Sequence, residues 1–160
     1  MYHFIYPDKD TYIYELRLND EYNFGADNKL ILKKDFDGKQ ELNGVSRLLL
    51  QFNLTEISKS IVSGDITNPK YYLRLYERKS SELAPKYSLG AYMLYDSQSV
   101  FWNEGSGISG TNPNKKDGVT WESGSSVWSL VPNTNAYSGS RTTGGGVWIT
   151  GSGYHSSQSF

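Results

Sequence analysis

The chain has no cysteine. That excludes a disulfide framework and a thiolate zinc site, and leaves the redox compartment open. An excess of charge of one sign is missing as well. The 16 basic and 17 acidic residues leave a net charge of −1, so there is no basic footprint of the kind nucleic-acid binding needs. No apolar run approaches the roughly 20 residues of a membrane-spanning helix, and no membrane partner is expected. The opening residues, Met1 to Asp8, carry neither a basic segment nor a long apolar one, so no signal peptide is expected there. Histidine is scarce: His3 and His155 stand at opposite ends. Strong helix formers are sparse in the second half.

Aromatic side chains are abundant. There are 13 Tyr and 4 Trp, and aromatic residues suit the pleated, half-buried surface of a sheet. The most apolar stretch is Ser46–Leu54, Ser-Arg-Leu-Leu-Leu-Gln-Phe-Asn-Leu. Leu48, Leu50 and Phe52 alternate with Arg47, Leu49, Gln51 and Asn53, which predicts a strand with one strongly apolar face. A turn is expected just before it at Asn43-Gly44. Asp10–Glu15 alternates in the same way, Lys29–Lys33 reads as a short strand, and Asp37-Gly38 carries a hairpin signature. Thr55–Ser63 is the one helical candidate, with Thr55 as N-cap and Gly64 as its stop. Lys70–Glu77 and Tyr87–Asp96 are two further strong strands. The expected core is Ile13, Leu30, Leu32, Leu48, Leu50, Phe52, Leu73 and Leu75.

The composition changes after Asp96. Residues 97–160 hold 6 of the 33 charged residues but 11 of the 16 Gly. Short apolar islands, Val119–Trp121, Val127-Trp128 and Val147–Ile149, are separated by Ser, Gly and Asn. They are too small to build a core of their own, so this half is read as long loops, from about 97 to 153, and short strands of the same domain. The final residues, Tyr154–Phe160, read as a strand stopped midway. The expected architecture is all-β: one antiparallel, jelly-roll-like β-sandwich over residues 1–160, with one short helix and long Gly/Ser-rich loops.

Three ordered stretches carry a family resemblance. They are Asp10-Thr11-Tyr12-Ile13 with Asn23-Phe24-Gly25-Ala26-Asp27, then Ser46–Leu54, then Tyr72-Leu73-Arg74-Leu75-Tyr76. Trp102-Asn103-Glu104-Gly105-Ser106-Gly107 and Gly118-Val119-Thr120-Trp121 follow in the same order. The set resembles the DNRLRE-type β-sandwich domains, which are related to an alginate-binding carbohydrate-binding module. Two departures stand out: Asn53 occupies a usual Asp position, and the family's last strand and its Trp partner are missing. The resemblance therefore implies a domain lacking its C-terminal strands. A Tyr-, Gly- and Ser-rich form without a secretion signal is most similar to versions in virion proteins of tailed bacteriophages.

Chemistry is thinly represented. No Gly-x-Ser-x-Gly elbow accompanies the two histidines. Glu104, next to Trp102 and Asn103, is the best single carboxylate for glycoside chemistry, but a loop acid is more often simply solvated. Asp8, Asp10 and Asp27 offer hard oxygen ligands for a structural calcium, although turn aspartates are common for backbone reasons. Gly144-Gly145-Gly146 lacks the Lys-Ser/Thr and helix of a phosphate loop. The remaining candidates are Trp102, Trp121, Trp128, Trp148 and Tyr154, as interface anchors or sugar-stacking faces, with burial in the core as their alternative role. The function expected is structural: a virion component in the tail, baseplate, neck or capsid surface, assembled in the host cytoplasm. It would act through protein–protein contacts with other virion proteins in symmetric copies, without catalysis or cofactor. The alternative is a non-catalytic module that binds a surface polysaccharide.

Overall fold

The computed structural model describes residues 2–15, 22–36, 42–77, 88–94, 102–111, 117–121, 136–138, 147–149 and 155–159. Strands dominate. A three-stranded antiparallel sheet is built from β1 (Lys9–Tyr14), β2 (Lys34–Phe36) and β3 (Leu42–Gln51) in the order β1-β3-β2. One short helix follows, α1 (Thr55–Val62). A second antiparallel sheet contains β4 (Ser88–Leu94), β5 (Ala136–Ser138), β6 (Val147–Ile149) and β7 (His155–Ser159) in the order β5-β6-β4-β7.

The register of β1 against β3 decides where the core lies. Thr11 faces Leu49 and Ile13 faces Arg47, while Tyr12 faces Leu48 and Tyr14 faces Ser46. Paired residues share a face of the sheet. One face therefore carries Ile13 and Leu49, and these pack with Trp102, Val119 and Trp121 into one buried cluster. The other carries Tyr12 and Tyr14, which join Phe24 in a second cluster that Leu30, Ile31 and Leu48 flank. Tyr12 and Phe24 stack, with ring centroids 4.5 Å apart and planes 6° from parallel. The central pair of strands is thus covered on both sides.

Several expectations are corrected here. Leu49, on the face read as mixed, is buried, while Leu48 and Leu50 beside it are only partly so, because Trp102, Val119 and Trp121 cover that face. Asn43 and Gly44 lie inside β3 rather than in a turn, and β2 pairs with that part of the strand through a register shift at Asp35/Phe36. Lys29–Lys33 is not a strand; it leads into β2, with Leu30 and Ile31 against the second cluster and Leu32 exposed. Leu50 and Phe52 are only partly buried. Lys70–Glu77, expected as a strand, is assigned none, and Leu73 and Leu75 are about half exposed, with no described strand beside them.

Helix α1 ends as expected. Gly64 adopts φ +83°, a conformation glycine tolerates without strain, and its N–H donates to the Ile61 carbonyl at 3.1 Å. Its start differs: Leu54 holds the N-cap position, and the Asn53 side-chain oxygen accepts the Thr55 N–H at 3.1 Å. No residue of α1 is buried. No described helix is long and apolar enough to cross a membrane.

Candidate functional site

Three loops meet at the edge of the first sheet: residues 22–27, 102–111 and 117–121. Asn23 is fully buried and ties all three. Its Oδ1 accepts the Gly107 N–H at 2.7 Å, and its Nδ2 donates to Asp117 Oδ1 at 3.1 Å. Ser106 completes the connection, donating its N–H to Asp117 Oδ1 at 3.1 Å and its hydroxyl to Oδ2 at 2.7 Å. These donors, the Ser106 hydroxyl foremost, then the Ser106 N–H and the Asn23 amide, hold the Asp117 carboxyl down at about 2. The backbone adds two links: the Ala26 N–H donates to the Gly107 carbonyl at 3.0 Å, and the Val119 N–H to the Asn103 carbonyl at 2.7 Å.

Glycine permits this approach. A Cβ on Gly25 would overlap the Glu104 carbonyl, and one on Gly107 would overlap the Asn23 carbonyl. Two backbones can come this close only where no side chain stands between them.

A second carboxylate works in parallel. Asp27 accepts the Tyr12 hydroxyl at 2.7 Å and the Ser109 N–H at 3.0 Å. Burial, and then the bond to Asp27, push the Tyr12 phenol above its ordinary range. Glu104 accepts the Asp10 N–H at 2.6 Å, fastening the middle loop to β1. Lys9 reaches the same loop, donating to the Trp102 carbonyl at 3.3 Å with its ammonium 5.7 Å from the centre of the Trp102 ring.

The chemistry of this constellation is that of a clasp. Asp27, Glu104 and Asp117 accept hydrogen bonds from backbone amides and neighbouring hydroxyls, and each bond fixes one loop to another or to β1. Among the described residues no three His, Asp or Glu side chains gather into a metal-holding group. Asp8, Asp10 and Asp27, the calcium candidates, do not form one.

Two of the aromatic candidates lie inside this region. Trp102 is 6 % exposed and Trp121 is 2 % exposed, both in the cluster with Ile13 and Leu49. The Arg47 guanidinium lies 4.8 Å from the centre of the Trp121 ring, a contact that lets an arginine sit on the core face of β3. Neither ring is open for stacking on a sugar; the apolar face of the β1/β3 pair takes them instead. Trp148 is placed by its backbone, opposite Leu94 and Tyr137 in the second sheet. Trp128 and Tyr154 fall outside the described residues.

The exposed apolar surface lies elsewhere, in residues absent from the expected site. Tyr2, Phe4 and Tyr6 near the N-terminus are exposed, as are Val62 of α1, Tyr71 to Leu73, Leu75 and Tyr76, and Tyr92 and Met93 of β4. Leu54, Thr55, Ser58, Lys59, Val62 and Ser63 line an open groove along α1. The alternation of residues 70–77 was visible in the sequence, but it signalled a core strand. Exposure was the part it did not carry.

No protein-family model matches this chain, and neither a curated protein nor a solved structure does.

Proposed function

We propose that the chain is a structural component of a tailed-phage virion, a jelly-roll-like β-sandwich that works by protein–protein contact. The observation that carries the contact reading is the exposed apolar run Tyr71–Tyr76, together with Tyr2, Phe4, Tyr6 and Val62. Large apolar side chains left exposed in a run mark a candidate interaction site. The sandwich is supported by two features: the first sheet has an apolar cluster on each face, and Leu94 of the second sheet packs against one of them. The virion assignment is supported by the ordered motifs that resemble phage versions of the DNRLRE-type domain. Two of those motifs, residues 23–27 and 102–107, come together in space as parts of one clasp.

The carbohydrate-binding alternative loses support, because Trp102 and Trp121 are in the core. A polysaccharide would have to stack on aromatic rings other than these two. Mass spectrometry of purified particles tests the assignment: the chain is expected among their structural proteins, bound through residues 70–77. Its absence from the particle would overturn the virion reading. A change in tyrosine fluorescence on titration with an acidic polysaccharide would favour the alternative.

A further inference from the structure

From Leu50 to Leu94 no described residue is buried. Within this stretch residues 70–77, Lys-Tyr-Tyr-Leu-Arg-Leu-Tyr-Glu, are exposed one after another and contain no turn or bend. Tyr72 and Tyr76 are 80 % and 83 % exposed, and no hydrogen bond joins the segment to another described residue. A protease cleft must hold several residues on each side of the bond it cuts, so a bond inside a helix or a paired strand is reached only after local unfolding. An exposed connecting segment is cut without that step.

Arg74 lies in the middle of this segment, with Lys70 to Leu73 before it and Leu75 to Glu77 after it, all exposed and none a proline. The other described bases are held differently. Lys9, Lys34 and Arg47 are in paired strands, Lys59 is in α1 and Lys29 is in a bend. Lys33 is tied to Ser46 through both its N–H and its carbonyl. Lys70 follows Pro69 and Asn68, and the φ of +51° at Asn68 turns the chain where a cleft would hold it straight.

We propose that the Arg74–Leu75 bond is a processing site for an arginine-directed protease, and that the cut chain stays together. Hydrolysis consumes one water and leaves a carboxylate on Arg74 and an amino group on Leu75. The clasp spans the cut. Asn23 reaches Gly107 and Asp117, Asp27 reaches Ser109, and the Asp10 N–H reaches Glu104. Ile13 and Leu49 pack with Trp102, Val119 and Trp121. Each of these contacts joins a residue before Arg74 to one after Leu75, so hydrolysis removes the covalent link and leaves the contacts in place. Opening the clasp then becomes dissociation of two pieces. This inference rests on the exposure of residues 70–77 and on the clasp, and is independent of the virion assignment.

Brief digestion of the full native chain with an arginine-specific protease tests both halves. Mass analysis should find the first cut after Arg74, and Arg74→Gln should slow that first cut at least about tenfold. On size exclusion the cut chain should elute where the uncut chain does, and part into two pieces only in denaturant. Once cut, Asn23→Ala should part at a lower denaturant concentration than the cut wild type. A first cut elsewhere, with residues 70–77 intact, would overturn the site. Pieces that part without denaturant would overturn the clasp as the bridge between them.

Discussion

The clasped loops around β1 and β3 and the open segment at residues 70–77 are made of similar residues with opposite fates. Both are rich in aromatic and branched side chains. In the clasp, Tyr12, Phe24, Trp102 and Trp121 are buried, and Asn23, Asp27 and Asp117 each hold two loops or a loop and a strand together. In the open segment, Tyr71 to Tyr76 present their rings to solvent with no described strand beside them. The difference teaches that alternation alone secures neither a strand nor burial: residues 70–77 alternate and are assigned no strand, and burial depends on what arrives from far along the chain. Ile13 and Leu49 are buried because Trp102, Val119 and Trp121 return to cover them. Residues 70–77 have no such cover among the described residues.

Substitutions can break that comparison at graded strength. The largest effect is expected from Trp121→Ala, which removes the bulkiest fully buried side chain among the described residues and leaves Arg47 without its ring; a loss of about 3–5 kcal/mol should appear in denaturant unfolding. Next comes Gly107→Ala. Its Cβ would overlap the Asn23 carbonyl, a backbone atom that can move only if the clasp opens, and about 2–3 kcal/mol of destabilisation is expected in the same assay. Asn23→Ala leaves the Gly107 N–H buried without its acceptor and should cost about 1–3 kcal/mol. Hydrogen exchange at Gly107 should accelerate in this variant, while β4 amides keep their wild-type rates.

A smaller effect is expected from acid. The folded Asp117 carboxyl titrates near about 2, below its ordinary 3.8. A carboxyl depressed by folding contributes stability above its unfolded value and loses it as the pH falls toward the folded one. Its share should therefore fade between about pH 4 and pH 2. Asp117→Asn should flatten that limb of a pH titration of thermal stability. An unchanged acid limb would remove Asp117 from the clasp's electrostatics.

Much of the fold was legible in the sequence. The alternation of Asp10–Glu15 and of the Leu-rich run at 46–54 marked β1 and β3, Gly64 marked the helix end, and Tyr87–Asp96 enclosed β4. The two-sided burial of β3 was not read correctly, although Leu48-Leu49-Leu50 in succession is what a strand covered on both faces looks like. A period of two records the contrast between faces and is blind to a second cover. The clasp was legible only in pieces. Asn23 to Asp27, Trp102 to Gly107 and Gly118 to Trp121 each stood out as a motif, but their contacts span 82 to 94 positions in the chain. Nothing local announces such pairing. Trp102 and Trp121 were likewise visible as aromatics in Gly-rich surroundings, and only the packing on Ile13 and Leu49 separates an anchor for the core from an anchor for a partner.

The most direct test sets one leucine of each region against the other. Leu49→Ala and Leu75→Ala remove the same atoms, and unfolding is measured at a dilution where the chain is monomeric. Leu49 is buried between Ile13 and Trp121, so its truncation should cost about 2–5 kcal/mol, whereas Leu75, half exposed on an open segment, should cost under about 1 kcal/mol. Equal losses would contradict the account, because they would mean that residues 70–77 belong to the monomer's own core.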